Sequence, residues 1–313
     1  MSGPASTPRP STFSIVARDP ERGVVGVAVQ SKFVAVGSVV PFASADAGAI
    51  ATQSFANVAY GPDGLDLLRE GHTAAETIEA LTAADGEAAQ RQVGIVGQDG
   101  SIGAFTGADC FEYAGDVQGE HYTVQGNILE NPETLEAMAE AYETGEKGLP
   151  ERLLAALQAG NAAGGDRRGE QSAALYVAKP DGGYDGGNDR WIDVRVDDHP
   201  RPIDELERVF RIYDVTLLER EAPDELRELD GETATAVATT LSEGGFLDGP
   251  GSTGFDEPER AALGEFRGAN NFENHDLAAL EDAIARGWDA AEGAGEERLM
   301  NAVWHGLSRL ERA

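Results

Sequence analysis

The sequence predicts an α+β protein, a four-layer αββα sandwich followed by a small all-α module. Three observations predict it. Short apolar or alternating blocks mark strands. These blocks arrive in groups separated by pairs of helices, and the last third of the chain carries helical periodicity alone. A doubly wound parallel sheet would alternate strand and helix singly, so the grouping argues against it. Two sheets stacked face to face, with helix pairs outside, fit the order.

Met1 to Pro10 is rich in Pro, Ser and Thr with no apolar stretch, so residues 1–11 are expected to be a disordered leader and not a secretory signal. STFSIVA (11–17) and VVGVAVQ (24–30) read as two strands around the turn-forming RDPERG. A second pair is predicted near 36–40 and 48–53, where abundant Gly and Ala imply close backbone packing or a ligand against the sheet. Pro62 opens a helix that stops at Gly71. Thr73 and Glu76 form a capping box for the next, which runs through Leu81.

Strands resume at 92–96 and 101–105, joined by GQDG, with another pair at 110–117 and 121–126. Asn131 caps a third helix with Pro132 at its first position, and Pro150 opens a fourth. Gly164-Gly165 stops it before the buried strand 172–178 and a last strand at 191–196. Beyond Val196 the character changes. An amphipathic helix is predicted over 202–221, a Gly-rich break over 244–254, and three helices over 257–266, 277–291 and 296–312. The expected division is therefore 12–200 for the sandwich and 201–313 for the helical module.

Composition limits the function classes. Acids outnumber bases 56 to 24, for a net charge of −32; Lys occurs only at positions 32, 147 and 179, so 21 of the 24 are Arg. Disorder is not the reason, because 41% of the residues are hydrophobic and fall in periodic patterns. A folded chain this acidic repels itself until salt screens it, and a strongly saline cytoplasm is the simplest setting. The same field disfavours nucleic acid and anionic membrane as partners. That leaves a small-molecule substrate or ligand and a second copy of the chain. A single Cys110 forbids an intrachain disulfide, and no apolar run reaches the length of a spanning helix. Five scattered histidines show no metal-ligand spacing, so neither metal nor cofactor is expected.

Taken together, TFSIVARDP, AVGSVVPFA, ATQSFANVAYGPDGLDLL, RQVGIV, AFTGADC, QGNIL, GGDRRGEQSAAL and RVDDHPRP resemble the family known as domain of unknown function 1028, over most of 12–202. The resemblance implies an Ntn-hydrolase-like fold, that of proteasome β-subunits. It brings no settled activity. The stretch 257–288, around GANNFEN, is similar to a peptidoglycan-binding module often fused to that family.

Ntn hydrolases use the first residue of the mature chain as nucleophile and its own α-amine as base, a group that titrates near 7.7–8.0 without special burial. The resemblance places Thr12 there, provided residues 1–11 are removed. An ordinary first-strand Thr is the alternative. Ser11-Thr12 departs from the usual Gly-Thr junction, Gln30-Ser31 stands where an acid would close the second strand, and Lys32 lies in the following connection. The loop GGDRRGEQS (164–172) is the densest polar feature. Arg168 could clamp a substrate carboxylate with Asp166 holding it, or the two could be a structural pair. In proteasome-like folds an Asp in this loop approaches the nucleophile.

The backbone N–H groups of Gln125, Gly126 and Asn127, ahead of the third helix, could form an oxyanion hole, or Gly-Asn there could be plain helix capping. Ser31, Thr52, Gln53, Asn57 and Gln171 are candidates to line the same cleft; Cys110 reads as an inert thiol. Two functions follow: an amide-bond hydrolase of small substrates, or a non-catalytic ligand-binding or scaffold protein.

Self-repulsion makes one expectation measurable. Raising KCl from about 0.1 M to about 2 M should raise the melting temperature by about 5 °C or more. A flat or falling response in differential scanning fluorimetry would contradict it.

Overall fold

A computed structural model describes residues 12–221, 223–249 and 254–312. The predicted leader, residues 1–11, lies outside them, as does part of the Gly-rich break.

β1 (Thr12–Asp19) and β2 (Val24–Ser31) form the first hairpin. Its turn is set by Asp19, whose carboxylate accepts the N–H groups of Glu21 and Arg22. β3 (Pro41–Ser44) and β4 (Gly48–Ser54) follow, then α1 (Tyr60–Arg69) and α2 (Ala74–Ala83). The capping box of α2 is present: Thr73 N–H donates to Glu76 Oε2 at 2.8 Å, and Glu76 N–H to Thr73 Oγ1 at 3.3 Å. β5 (Arg91–Gly97), β6 (Ile102–Thr106), β7 (Gly115–Gly119) and β8 (Tyr122–Asn127) come next. α3 (Glu133–Thr144) and α4 (Leu149–Ala162) precede β9 (Ser172–Ala178) and β10 (Arg190–Val196).

The strands make two antiparallel sheets, ordered β10-β9-β2-β1-β8-β7 and β3-β4-β5-β6. Their facing surfaces meet. Val16, Val25, Val27 and Val29 of the first sheet share one apolar cluster with Ala49, Ala51 and Val96 of the second. Alternation sends the next residues the other way: Ile50, Val93 and Ile95 pack with Leu65, Leu68, Ile78 and Leu81 of α1 and α2. On the first sheet, α4 packs against β1 and β2. A Cβ at Gly26 would lie 3.0 Å from Leu153 Cδ1 of α4.

Three expectations are corrected. Residues 36–40 are not a strand. A 3-10 turn spans Val36–Ser38, entered by Ala35 at φ 54°; Val36 N–H goes to Ser172 Oγ (3.1 Å) and Val40 N–H to Val36 O (3.1 Å). With those donors spent, pairing begins only at Pro41, on an edge strand where a missing N–H is tolerated. The strand expected over 110–117 is confined to Gly115–Gly119, because the N–H groups of Ile128 and Leu129 go to the carbonyls of Phe111 and Tyr113 outside the ladder. A further helix, α6 (Gly231–Glu243), was not anticipated.

The chain divides into two compact units between Arg208 and Val209, inside α5 (Pro202–Leu217). α5 stops short of 221 because Glu221 N–H bonds Glu311 O and Arg220 forms a bridge with Arg312. The second unit adds α6 (Gly231–Glu243), α7 (Glu257–Ala269), α8 (Leu277–Gly287) and α9 (Gly295–Leu307). Phe266, Phe272, Leu280, Ile284, Trp288, Leu299 and Val303 fill its core. The 277–291 segment finishes in a 3-10 turn (Trp288–Ala290). No helix among the described residues is long and apolar enough to cross a membrane.

α8 and α9 touch backbone to backbone. A Cβ at Gly306 would fall 1.9 Å from Ala283 O, and one at Gly287 1.8 Å from Ala302 O. Neither carbonyl can move without shifting its helix. Gly306→Ala should therefore cost about 3 kcal/mol or more in denaturant unfolding. Gly264→Ala, in α7 with open space at its Cβ position, should instead stabilise by about 0.5–1 kcal/mol. Equal effects of the two substitutions would contradict the packing described.

Candidate functional site

Thr12 opens β1 opposite Ser31 on one side and Asn127 on the other. It is 3% exposed, and its hydroxyl donates to Ser31 Oγ at 3.1 Å. The residue just past β2, Lys32, donates its backbone N–H to Asp166 Oδ2 at 3.0 Å. The residue after Asn127 accepts Arg167 N–H through its carbonyl (Ile128, 3.1 Å), and Leu129 bridges Asp166. The glycine-flanked loop therefore closes on both strands that bracket Thr12.

Asp166 is held there by chemistry the sequence displays. Gly164 and Gly165 end α4 with φ 138° and 61°, conformations that favour Gly, and turn the chain back. The Asp166 side chain is fully buried; Oδ1 accepts Arg168 N–H at 2.8 Å and Oδ2 lies 3.2 Å from Arg168 Nη2. The Arg168 side chain is 30% exposed, with its guanidinium anchored on Asp166. Lys32 Nζ donates to Glu170 O at 2.9 Å, tying the loop's far end to the same strand.

Between the sheets runs a buried polar network. Ser14 Oγ donates to Gln53 Oε1 (2.7 Å), and Gln125 Nε2 donates to Ser14 Oγ (2.5 Å). Gln53 Nε2 meets Gln92 Oε1 (2.8 Å), with the carbonyls of Gln125 (3.3 Å) and Thr12 (3.4 Å) nearby. Asn127 Nδ2 donates to Gln92 Oε1 (2.9 Å), and Gln92 Nε2 to Gly126 O (2.8 Å). Ser14, Gln53, Gln92, Gln125 and Asn127 are all at most 1% exposed. Gly94 makes room for them, because a Cβ there would fall 2.1 Å from Gln125 Oε1.

The structure thus brings Thr12, Ser31, Gln53, Asn127, Asp166 and Arg168 to one end of the sheets. Thr52, inside β4, and Asn57, just past it, are engaged locally: Thr52 Oγ1 donates to Asn57 O, and Asn57 Nδ2 to Asp85. Gln171 points its amide at Asp198, while its backbone N–H bonds Ser31 O. The expected oxyanion turn is corrected. Gly126 and Asn127 are inside β8, with Gly126 paired to both β1 and β7, and α3 begins only at Glu133. Gln30 is fully buried, and neither its amide oxygen nor its nitrogen has a hydrogen-bond partner among the described residues. Cys110 is partly buried, and burial pushes its thiol above the ordinary range. That is the inert setting. No group of three His, Cys, Asp or Glu side chains among the described residues could hold a metal.

Sequence reasoning missed Ser14, Gln92 and the side-chain role of Gln125. A signal existed: TFS (12–14), TVQGN (123–127) and RQ (91–92) put polar residues at alternate positions of otherwise apolar strands.

A family model described as "Family of unknown function (DUF1028)" matches residues 12–206. The chain belongs to this family. The crystal structure of protein SPO2555 from Silicibacter pomeroyi, described with the same family, is similar at 32% identity, covering 65% of this chain and 89% of that one with a TM-score of 0.60. The DUF1028 match takes in every candidate residue above. Residues 216–304 match a second model, described as "Putative peptidoglycan binding domain". No curated protein matches the chain.

Asp166 supports backbone at Lys32 and at its own loop. Asp166→Ala should cost about 2–3 kcal/mol and Arg168→Ala about 1 kcal/mol, since only the first leaves buried N–H groups unmet. Urea unfolding of both variants checks the order; a reversed order would show that the guanidinium, not the carboxylate, holds the loop.

Proposed function

We propose that this DUF1028 chain is an Ntn-type hydrolase that cleaves an amide bond of a small, carboxylate-bearing substrate. In this reading the two sheets and the helix pairs against them are the four-layer αββα sandwich of that superfamily. The carrying observation is the seat of Thr12: it starts β1 with its hydroxyl on Ser31, beside the Lys32 N–H that grips Asp166.

Once residues 1–11 are removed, the Thr12 α-amine takes the proton from Oγ1 as the oxygen attacks the substrate carbonyl. The tetrahedral intermediate expels the amine, which leaves with that proton, and an ester forms on Thr12. Water, activated by the same α-amine, then hydrolyses the ester and restores the hydroxyl. Arg168, anchored on Asp166 and partly open to solvent, receives the substrate carboxylate. Asn127 and Ser31 flank the reacting hydroxyl and fix its rotamer. The acidic surface is read as adaptation to a salt-rich cytoplasm.

A second reading, a non-catalytic ligand-binding protein on the same fold, is favoured by one observation. The Thr12 hydroxyl donates to another hydroxyl, and Asp166 gives its oxygens to backbone N–H groups and Arg168, as a structural residue would.

Intact mass of the protein purified from its native host separates the two. The hydrolase reading expects a chain beginning at Thr12, with turnover of a panel of N-acyl amino acids that Thr12→Ala abolishes. A full-length chain retaining 1–11, stabilised by a small carboxylic acid with no turnover, would overturn it in favour of the second.

A further inference from the structure

The candidate site has apolar neighbours that its polar residues do not explain. Among the described residues of the first compact unit, the exposed large apolar side chains are Phe33, Val34, Val58 and Tyr184. Three of the four stand at the Thr12 end of the sheets. Phe33 and Val34, 43% and 52% exposed, follow Lys32 beyond β2. Val58, 46% exposed, lies beyond β4, whose Gln53 reaches the Thr12 carbonyl. The carbonyl of half-buried Phe111 accepts the N–H of Ile128, the residue after Asn127, and its ring meets that of Phe55 with 6.2 Å between centroids.

Both exposed segments are braced. Around Phe33, Lys32 N–H is held by Asp166, the Phe33 carbonyl accepts the Ser172 hydroxyl, and Ala35 N–H donates to Asp197 O at 2.9 Å. Around Val58, Phe55 O accepts Arg91 Nη1 at 2.5 Å and Asn57 Nδ2 donates to Asp85 Oδ2 at 3.1 Å. The Arg91–Asp85 ion pair, at 3.0 Å, ties those two anchors together. Fixed backbone, not a loose loop, holds these side chains out. An apolar patch set in place this way marks a binding surface. Three half-exposed side chains fall well short of the roughly 800 Å² per partner that a stable protein interface takes. A small ligand fits the scale, and the patch continues from Thr12.

We infer that the substrate of the Thr12 site is an N-acyl amino acid with a hydrophobic acyl group, seated on Phe33, Val34 and Val58. The inference rests on the hydrolase reading above. There the carboxylate belongs to the amine half and goes to Arg168, so the acyl half is the part left to meet the apolar rim. An acetyl group is too short to cover that rim. A longer chain takes rim and methylenes out of water together, at about fourfold in affinity for each methylene fully buried.

The test uses protein expressed in its native host, in high salt, with N-acetylglycine, N-octanoylglycine and N-acetyl-L-leucine. It reads kcat/KM where cleavage occurs and calorimetric affinity where it does not. N-octanoylglycine is favoured over N-acetylglycine by about tenfold or more. Phe33→Ser and Val58→Ser each cut that ratio by about threefold or more. Tyr184→Ser, beyond the opposite end of β9, leaves it unchanged. A smaller ratio, a preference for N-acetyl-L-leucine over N-octanoylglycine, or absence of both binding and cleavage overturns the inference. So does a dimer that Phe33→Ser dissociates with the ratio unchanged, which would give the rim to a second copy. Tight binding of N-octanoylglycine without cleavage would remove the hydrolase reading and leave the acyl seat standing; cleavage of all three at similar kcat/KM would do the reverse. The substrate series uses the unaltered protein, so a variant that misfolds does not remove the test.

Discussion

Ser14, Gln53, Gln92, Gln125 and Asn127 are sealed between two sheets, where a polar group without a partner costs about 1–3 kcal/mol. The bonds across the gap, Ser14 to Gln53 and Asn127 to Gln92, therefore have to be made. A valine layer tolerates a small slide of one sheet over the other. A chain of amides does not, because its bonds are directional and a slide of one residue would part donors from acceptors. The apolar cluster beside it between the sheets supplies burial energy, and the amide network fixes the relative placement.

That placement carries the site. Gln53 reaches across to the Thr12 carbonyl, and Asn127 lies beside Thr12 in the ladder while bonding Gln92 of the opposite sheet. The start of β1 is thus held from both sheets at once. Asp166 closes the third side by gripping Lys32 N–H. A nucleophile or a ligand-binding hydroxyl needs this kind of rigidity, and so does a purely structural strand end. The geometry serves both readings, and only chemistry at the mature N-terminus distinguishes them.

Much of this was legible in the chain. The first hairpin, the Thr73–Glu76 capping box and the Gly-Gly stop before Asp166 announce themselves because their causes are local. The run 36–40 was misread because its fate depends on Ser172, far along the chain, which takes the Val36 N–H. α6 went unseen because its buried stripe is Ala234, Val237, Ala238 and Leu241, too small and too mixed with Thr to stand out as an apolar face. The network stayed hidden for a related reason. Strand periodicity shows that Gln92 and Gln125 share faces with core residues, but not that the two faces meet. Family resemblance supplied the likeness of residues 12–206 and no reaction.

The claim that the inter-sheet amides act as one unit is tested most directly by a double-mutant cycle on Ser14→Ala and Gln53→Leu, read by urea unfolding. Coupling of about 1 kcal/mol or more is expected, because each residue satisfies the other. Additivity within about 0.3 kcal/mol would contradict it and leave the valine cluster as the sole connection between the sheets.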